Sequence, residues 1–353
     1  MSDWEKNIRK VIPYTPGEQP KQSGIIKLNT NENPYPPSPA VAEALGAADS
    51  SELRLYPAPD ASELVTAIAE EYGVKPEQVF VGVGSDDVLS MAFMTFFNSD
   101  KPVLFPNITY SFYDVWADVY RIPYRQIPLT PEFRINPSDY MQPNGGIIFP
   151  NPNAPTGVLE PVEMIERVVS ENPGSVVIID EAYIDFGGTS VLPLTGKYEN
   201  LLVVQTFSKS RSLAGMRIGF AIGSEKLIKY MNDVKFSVNS YTMNRLTIKC
   251  GAAAVRDRAY FGETTAKIIA TREAAKKELA ARGFTFPDSM SNFIFAKPGR
   301  LPAKEVFTKL RERKIYVRYW DKPVIGEYLR ITIGTDSEMQ ALYTALDEIL
   351  QEV

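Results

Sequence analysis

The chain has 353 residues with 38 Lys+Arg against 43 Asp+Glu, so its formal net charge is −5, and this length suggests two domains with full-sized cores. Hydrophobic residues at 44% and charged residues at 23% exclude a disordered chain, and the acidic balance argues against a nucleic-acid-binding protein. The sequence has no histidine and one cysteine, Cys250, which excludes a Ser-His-Asp hydrolase, a His-ligated metal, a Cys-rich zinc site and a disulfide framework.

The first forty residues carry seven prolines and no regular hydrophobic pattern. Prolines at this density prevent long helices and predict an extended arm that lies over the rest of the molecule. The N-terminus lacks the apolar stretch of a signal peptide, and no apolar run approaches the roughly 20 residues that a membrane span needs. We therefore expect a soluble, cytoplasmic protein with no membrane partner.

Between residues 61 and 240, apolar strands alternate with segments of helical length. The pattern predicts helices at 62–72, 88–97 and 111–120, and it predicts strands at 79–81, 103–105, 146–149, 175–179 and 201–204. This alternation is typical of an α/β fold, in which helices cover both faces of a mainly parallel sheet.

The pattern changes after about residue 240. It predicts a long amphipathic helix near 257–282, further helices at 303–313 and 338–350, and strands at 292–296, 315–318 and 328–333. The short links between these elements suggest a smaller α+β domain. We therefore expect an N-terminal arm over 1–30, a large domain over 31–240 and a small C-terminal domain over 241–353.

Polar residues follow several of the predicted strands, where ligands bind in an open parallel sheet. Gly84-Ser85-Asp86 follows the strand at 79–81 and begins a helix, so free backbone N–H groups and the helix dipole could seat a phosphate there. Asp87 replaces the third glycine of a dinucleotide-binding motif, which argues against a nicotinamide dehydrogenase. Taken alone, the segment is more typical of a helix N-cap.

Three further strands also end in polar residues. The loop at 150–157 contains three prolines and a glycine, which hold it in one shape. Asp180 and Tyr183 could both face a ligand over the sheet edge, although a lone Asp at a strand end is often a helix cap. Lys209 lies among hydroxyls and near Arg217, where burial and a neighbouring cation would lower the pKa of its amine. An exposed lysine on a loop is the alternative.

Together these residues suggest one ligand, an aromatic phosphate with a ring nitrogen and an aldehyde, which is pyridoxal phosphate. Lys209 would form an imine with the aldehyde. Asp180 would keep the ring nitrogen protonated, and Tyr183 would hydrogen-bond the ring oxygen. The phosphate would be held by Ser85, Asp86, Thr206, Ser208 and Arg217.

Three motifs, in this order along the chain, resemble those of the fold-type I pyridoxal-phosphate aminotransferases: N-P-N-A-P-T-G at 151–157, D-E-A-Y at 180–183 and T-F-S-K-S-R-S-L-A-G-M-R-I-G at 206–219. Four others are similar to segments of the histidinol-phosphate aminotransferase family: Y-T-P-G at 14–17, L-N-T-N-E-N-P-Y-P-P-S-P at 28–39, L-Y-P at 55–57 and Y-L-R-I-T-I-G at 328–334. The resemblance covers nearly the whole chain. It implies a seven-stranded sheet in the large domain.

The resemblance also implies an activity, the transamination of L-histidinol phosphate with 2-oxoglutarate to imidazole-acetol phosphate and L-glutamate in histidine biosynthesis. It assigns the imine and the proton transfers to Lys209, and the ring contacts to Asp180 and Tyr183. Tyr110 would stack on the cofactor ring, with an ordinary buried aromatic as the alternative. Tyr56 would reach the cofactor phosphate of a neighbouring subunit, which implies a homodimer.

The family pattern further implies residues that bind substrate. Arg330 would bind the carboxylate of amino acid partners, Arg318 the phosphate of histidinol phosphate, and Tyr14 would close the site from the arm. Two guanidiniums suit a site that accepts a phosphate in one half-reaction and a dicarboxylate in the other. For Arg318, a surface strand residue is the alternative.

One position departs from the family. Asparagine usually stands immediately before Pro-Thr-Gly and bonds the ring oxygen, but this chain has Ala154 there. Asn153 is the expected substitute. Since Tyr183 remains, we expect the cofactor to bind with altered tuning of the imine.

Three other functions fit parts of the pattern. An aromatic amino acid aminotransferase would keep the fold and the cofactor. A threonine-phosphate decarboxylase would also need a phosphate-binding arginine, but it would release carbon dioxide and an amine in place of a keto compound. A ligand sensor in a transcription regulator would have a DNA-binding domain, and the acidic composition argues against it.

Overall fold

The computed structural model describes residues 2–352, and within them eleven strands and ten α-helices are formed, none of the helices long and apolar enough to cross a membrane. The strands are β1 (Ile26–Leu28), β2 (Val79–Gly82), β3 (Val103–Pro106), β4 (Tyr124–Ile127), β5 (Gly146–Pro150), β6 (Val177–Asp180), β7 (Leu201–Thr206), β8 (Gly219–Gly223), β9 (Phe293–Ala296), β10 (Ile315–Val317) and β11 (Leu329–Thr332). The helices are α1 (Pro39–Gly46), α2 (Ser62–Tyr72), α3 (Ser85–Phe96), α4 (Tyr113–Tyr120), α5 (Val162–Glu171), α6 (Glu225–Val238), α7 (Arg245–Arg256), α8 (Arg258–Ala281), α9 (Ala303–Glu312) and α10 (Asp336–Gln351).

Seven strands form one sheet in the order β2-β8-β7-β6-β5-β3-β4. All neighbours pair in parallel except β8, which is antiparallel to both β2 and β7. The prediction of a mainly parallel α/β sheet of seven strands is confirmed. The sequence pattern did not predict β4 and β8. β4 is an edge strand with three exposed residues, and β8 begins and ends with glycine, so neither has the apolar signal of a buried strand.

Successive side chains of the central strands enter two different cores. Ile148 and Ile178 pack with α3, α4 and α6 on one face of the sheet, whereas Ile147 and Ile179 pack with α5 on the other. Side chains alternate between the faces of a strand, so a strand that is buried on both faces needs a continuous apolar run. This is why the central strands stand out in the sequence.

A separate core lies among the C-terminal elements. It contains residues of α8, α9 and α10 together with β9, β10 and β11, for example Ile268, Leu310 and Leu342. β9 and β11 pair antiparallel, and β1, from the proline-rich arm, pairs in parallel with β10. The arm is therefore held to the C-terminal elements by a strand at residues 26–28.

The predicted domain boundary at residue 240 falls between α6 and α7. α7 packs against α1 and α2, and its residues Ile248 and Cys250 share a core with Leu64 and Phe220. Cys250 is thus a buried core residue, as its sequence context suggested. The division into an arm, a large domain and a small domain stays a prediction.

Candidate active site

A cavity of about 380 Å³ lies beyond the carboxyl ends of β5, β6 and β7, where the sequence predicts a ligand site. The start of α3, the arm, and residues of and next to β10 and β11 enclose its other sides. Twelve of the residues predicted from the sequence line it: Tyr14, Ser85, Asp86, Tyr110, Asp180, Tyr183, Thr206, Ser208, Lys209, Arg217, Arg318 and Arg330.

Lys209 is half-buried in the turn that follows β7. Its Nζ donates a hydrogen bond to the backbone carbonyl of Thr30, 3.0 Å away. Burial and, after it, the positive charge of Arg330 lower the pKa of this amine to about 8. An ordinary lysine titrates near pH 10.4, so a larger fraction of Lys209 is uncharged at neutral pH. The uncharged amine is the form that attacks a carbonyl carbon.

Asp180 is the last residue of β6 and is buried at the cavity wall. Its Oδ2 accepts a hydrogen bond from the Tyr113 hydroxyl at 3.0 Å, and its Oδ1 accepts one from the backbone N–H of Ala182 at 3.2 Å. Burial raises the pKa of this carboxyl to about 6. Above that pH, Asp180 is a buried negative charge with neutral hydrogen-bond donors, which favours a cationic group of a ligand beside it.

Tyr183 lies next to Lys209, whose Nζ is 5.8 Å from the centre of the tyrosine ring. Phe293 meets this ring edge-on, and burial raises the pKa of the Tyr183 hydroxyl. Asn31 Nδ2 donates to the Tyr183 hydroxyl oxygen at 3.0 Å. Because that oxygen accepts from Asn31, the hydrogen of the Tyr183 hydroxyl can be donated to an acceptor in the cavity.

The backbone of Ser85, at the start of α3, and the guanidinium of Arg217 form one end of the cavity, which we call the anion site. Arg217 adopts a left-handed backbone conformation with a φ of 55°. A Cβ on Gly84 would lie 2.4 Å from Nη2 of Arg217, and a Cβ on Gly219 would lie 2.2 Å from the Ser85 nitrogen. Glycine at both positions therefore lets the guanidinium and the N–H groups of the helix start converge, which suits a phosphate.

Further polar groups border the anion site. Asp86 accepts a hydrogen bond on Oδ1 from the Tyr110 hydroxyl at 2.7 Å, and its Oδ2 lies 3.4 Å from Nη2 of Arg217. Thr206 Oγ1 donates to Ser208 Oγ at 3.1 Å. In this arrangement the Asp86 carboxylate orients Tyr110 and Arg217, while the two hydroxyls add hydrogen-bonding capacity.

Arg318 and Arg330 also line the cavity, and the Cζ atom of each is 5.2 Å from the centre of the Trp320 ring system, so we call this part of the cavity the arginine end. Arg330 Nη2 donates to the backbone carbonyl of Asn29 at 3.0 Å, and its buried Nε has no hydrogen-bond partner among residues 2–352. Arg318 donates to two backbone carbonyls of the arm, at 3.2 and 3.3 Å. Because these acceptors are neutral, both positive charges are left for an anionic ligand.

Two predicted tyrosines occupy different places. Tyr14 lines the cavity and stacks on Phe112 with ring centroids 4.1 Å apart, which brings the arm over the arginine end. Tyr56 does not line the cavity of its own chain. Its side chain is 78% exposed and stacks on Tyr241 with ring centroids 4.5 Å apart. Any contact of Tyr56 with an anion site would therefore need another subunit.

Asn153 does not face the cavity. Its Nδ2 donates to the backbone carbonyl of Ile108 and to Thr156 Oγ1, both at 3.0 Å. The expectation that Asn153 replaces the missing asparagine does not match this geometry, because the loop turns its amide into the protein. Ala154 does line the cavity, but its methyl side chain cannot form a hydrogen bond with a ligand.

Residues 29–31 also contact the site, although they were not predicted from the sequence. The backbone carbonyl of Asn29 accepts a hydrogen bond from Arg330, and that of Thr30 accepts one from Lys209. The side chain of Asn31 donates to the Tyr183 hydroxyl. The available signal was a run of polar residues, N-T-N-E-N, directly after an apolar strand. The polarity of this run is a signal for a site in addition to its match to a family motif.

The residues of the cavity fit pyridoxal phosphate. Besides Arg330 Nε, the buried Oγ1 of the cavity-lining Thr109 finds no hydrogen-bond partner in the part of the chain that the structure describes, so polar groups of a ligand would satisfy both atoms. The anion site suits the phosphate, Asp180 suits a protonated ring nitrogen, and Lys209 suits the aldehyde. A volume of about 380 Å³ is within the usual range for small-molecule sites.

The sheet, the anion site and the half-buried Lys209 define the class of protein, a pyridoxal-phosphate-dependent enzyme. The sequence matches the family model of aminotransferase class I and II over residues 23–346. The chain belongs to this family. Histidinol-phosphate aminotransferase 1 of Hydrogenovibrio crunogenus is 53% identical over 348 residues, which are 99% of this chain and 98% of the relative. Histidinol-phosphate aminotransferase 2 of Dechloromonas aromatica is 51% identical, with 98% of both chains covered. Within the family, the chain therefore groups with the histidinol-phosphate aminotransferases.

A solved structure shares the fold. The histidinol-phosphate aminotransferase of Sinorhizobium meliloti, in complex with pyridoxal-5'-phosphate, superimposes with a TM-score of 0.85. The match covers 93% of this chain and 91% of the other, at 23% sequence identity. At that identity the likeness confirms the fold-type I architecture.

Proposed function

We propose that this chain transfers the amino group of L-histidinol phosphate to 2-oxoglutarate with pyridoxal phosphate as cofactor, which gives imidazole-acetol phosphate and L-glutamate. The observation that carries the proposal is one cavity that is lined by Lys209, by the residues of the anion site, and by Arg318 and Arg330. Relatives with this activity in their names, at 53% and 51% identity over nearly the whole chain, support it.

Pyridoxal phosphate, when bound, supplies an aldehyde and a ring that withdraws electrons from the substrate. Asp180 would bond the ring nitrogen, Tyr183 the ring oxygen, and Tyr110 would pack against the ring. Asp86 would keep Arg217 directed at the phosphate. The phosphate itself would be held by the helix N–H groups together with Ser85, Thr206, Ser208 and Arg217.

Lys209 is the group placed to move protons during turnover. With a pKa of about 8, its amine can take a proton from the substrate α-carbon and release it again near neutral pH. The chain has no histidine that could share this task. Asp180, with a pKa of about 6, is ionised at neutral pH and would hold the proton on the ring nitrogen.

The arginine end would select the substrates. Arg318 would bind the phosphate of histidinol phosphate, and Arg330 would bind the carboxylate of glutamate or 2-oxoglutarate. Tyr14 would cover the bound substrate, since its ring already packs on Phe112 at the edge of the cavity. A site with two free guanidiniums suits one substrate that is a phosphate monoester and another that is a dicarboxylate.

We also propose a homodimer in which Tyr56 contacts the partner's anion site. The support is a set of large apolar side chains that surround the contact of Tyr56 with Tyr241 or lie close to it in sequence. Each of them is between 44 and 78% exposed: Leu53, Leu55, Tyr56, Phe236, Val238 and Tyr241. Exposed apolar side chains gathered in this way mark protein–protein interfaces.

A product assay tests the proposed reaction. Purified protein with pyridoxal phosphate, L-histidinol phosphate and 2-oxoglutarate is expected to form imidazole-acetol phosphate and L-glutamate in equal amounts. A higher kcat/KM for phenylalanine would favour an aromatic amino acid aminotransferase, and carbon dioxide from threonine phosphate would favour a decarboxylase. Failure of pyridoxal phosphate to attach to Lys209 would overturn the cofactor as well as the substrate.

A further inference from the structure

The residues at the end of β5 and in the loop after it that line the cavity are Pro150, Ala154 and Pro155, and none of these side chains has a hydrogen-bonding group. The side-chain amide nitrogen of the neighbouring Asn153 donates to the Ile108 carbonyl and to Thr156 Oγ1 instead. The Tyr183 hydroxyl is then the group expected at the ring oxygen of the cofactor. Its usefulness there depends on where its single hydrogen points.

Asn31 determines the direction of that hydrogen. Its Nδ2 donates to the Tyr183 hydroxyl oxygen at 3.0 Å, and its side chain is buried, with 1% of the residue exposed. Solvent therefore does not replace this contact. Since the Tyr183 oxygen accepts from Asn31, the tyrosine hydrogen is kept for an acceptor in the cavity.

The amide of Asn31 is itself held in one orientation. The backbone N–H of Asn31 donates to Thr332 Oγ1 at 3.1 Å, and Thr332 Oγ1 donates its own hydrogen to Asn31 Oδ1 at 3.0 Å. This fixes Oδ1 at Thr332 and Nδ2 at Tyr183. Asn292 Nδ2 donates to the Asn31 carbonyl at 3.0 Å, so the backbone is held as well.

We propose that Asn31 is a positioning residue for the ring-oxygen contact and acts on it through the Tyr183 hydroxyl. The inference rests on the proposed function. Donation from Asn31 polarises the Tyr183 O–H bond and makes it a stronger donor to a negatively charged ring oxygen. Asn31 thereby acts on the cofactor without touching it.

The charges around Tyr183 do not depend on Asn31. Arg330 and Lys209 are the positive groups near its hydroxyl or ring, and Asp180 and Asp86 are the negative ones. An amide is neutral, so its removal leaves these charges in place. An effect of removing the amide therefore reports the hydrogen bond.

The backbone of Asn31 decides which substitution is informative. Its φ is 57°, in the left-handed region that glycine adopts without strain and alanine does not. Asn31→Gly therefore removes the amide with little cost to the backbone. Thr332→Val is a second variant, which keeps Asn31 but removes the hydroxyl that orients its amide.

The experiment loads the full-length protein with pyridoxal phosphate, without substrate, and records the visible absorption as a function of pH. In Asn31→Gly, we expect the midpoint of the absorption change to rise by about half to one pH unit, because a ring oxygen with a weaker donor retains its proton to higher pH. Thr332→Val is expected to raise it less. In a Tyr183→Phe background, Asn31→Gly is expected to cause no further shift.

An unchanged midpoint in Asn31→Gly, or an equal shift with and without the Tyr183 hydroxyl, would overturn the inference. If Asn31→Gly fails to fold by circular dichroism, Thr332→Val decides: a rise supports the inference, and a wild-type midpoint overturns it. These outcomes leave the proposed function standing. A wild-type protein that acquires no visible band with pyridoxal phosphate would overturn both.

Discussion

The backbones of Arg318 and Arg330 pair with each other, and each N–H donates to the carbonyl of the other residue, at 3.0 and 2.9 Å. Directly opposed residues on neighbouring strands project to the same side. The pairing therefore places both guanidiniums against Trp320 at the same end of the cavity. This isolated antiparallel bridge, between Arg318 directly after β10 and Arg330 in β11, thus fixes the backbone spacing of the two residues proposed to bind the anionic groups of the substrates.

Arg318→Ala is expected to weaken the use of histidinol phosphate far more than that of glutamate. Charge-assisted hydrogen bonds to a phosphate contribute roughly 1.5–3 kcal/mol, so the KM for histidinol phosphate should rise roughly 10- to 100-fold. Steady-state kinetics with both amino donors measures the difference. Arg300→Ala, at an exposed arginine, is the control and should change neither KM. Equal losses with both donors would mean that Arg318 does not bind the phosphate.

Pyridoxal phosphate is expected to attach to Lys209 and not to Lys235. Burial lowers the pKa of both amines, but Lys235 packs near the Phe80 ring, away from the residues of the cavity. A comparison of the two lysines therefore separates the effect of burial on the amine pKa from the effect of the cavity on cofactor attachment. Borohydride reduction followed by peptide mass spectrometry locates the label, and Lys209→Ala should remove both the label and turnover. A label on Lys235 of comparable yield would contradict the assignment.

The rate of attachment is expected to rise with pH and to level off above about pH 8, because the uncharged amine is the reactive form and the pKa of Lys209 is about 8. Arg330→Met removes a positive charge that lowers this pKa, so its midpoint should move upward. Burial remains the larger cause, so the midpoint should stay below that of an ordinary lysine. Stopped-flow absorbance at a series of pH values measures the rate. A midpoint that falls or stays constant in Arg330→Met would show that Arg330 does not act on this amine.

Much of the site could be predicted from the sequence because its residues follow strands. Asp180 ends β6 and Lys209 comes shortly after β7, and the parallel pairing of these strands brings their carboxyl ends to the same edge of the sheet. A polar residue after an apolar run is visible without knowledge of the fold. The register of the sheet then turns a sequence position into a position at the cavity.

The contacts of the arm could not be predicted in that way. Asn31 and Tyr183 are 152 positions apart, and Asn31 is held in place by Thr332 of β11 and by Asn292, two residues that are also distant in sequence from the arm. The direction of Asn153 was also invisible, because it depends on the backbone path of a loop and not on residue type. Contacts of this kind are properties of the packed structure.

Asp180→Asn is expected to reduce turnover by about 100-fold or more while cofactor binding falls less, because the neutral amide no longer stabilises a charged ring nitrogen.

The variant should also change the pH dependence of stability. Burial raises the folded-state pKa of Asp180 from 3.8 to about 6, so the folded form binds the proton more tightly than the unfolded form. The free energy of unfolding of the wild type, relative to the variant, should therefore fall as the pH rises from about 4 to 6. Urea titrations of both proteins without pyridoxal phosphate across this range test the sign, and a relative rise would contradict the assignment.

Mixing two inactive variants tests whether Tyr56 acts across a homodimer. Lys209→Ala lacks the amine but keeps Tyr56, and Tyr56→Ala lacks the tyrosine but keeps the amine. If each site combines Lys209 of one subunit with Tyr56 of the partner, each mixed dimer contains one intact site. An equimolar mixture that exchanges subunits should then recover about one quarter of wild-type activity, because half of its dimers are mixed and each has one of two sites. Light scattering before and after exchange confirms the dimer, and each variant alone is the control. No recovery in exchanged dimers would place Tyr56 outside the partner's site.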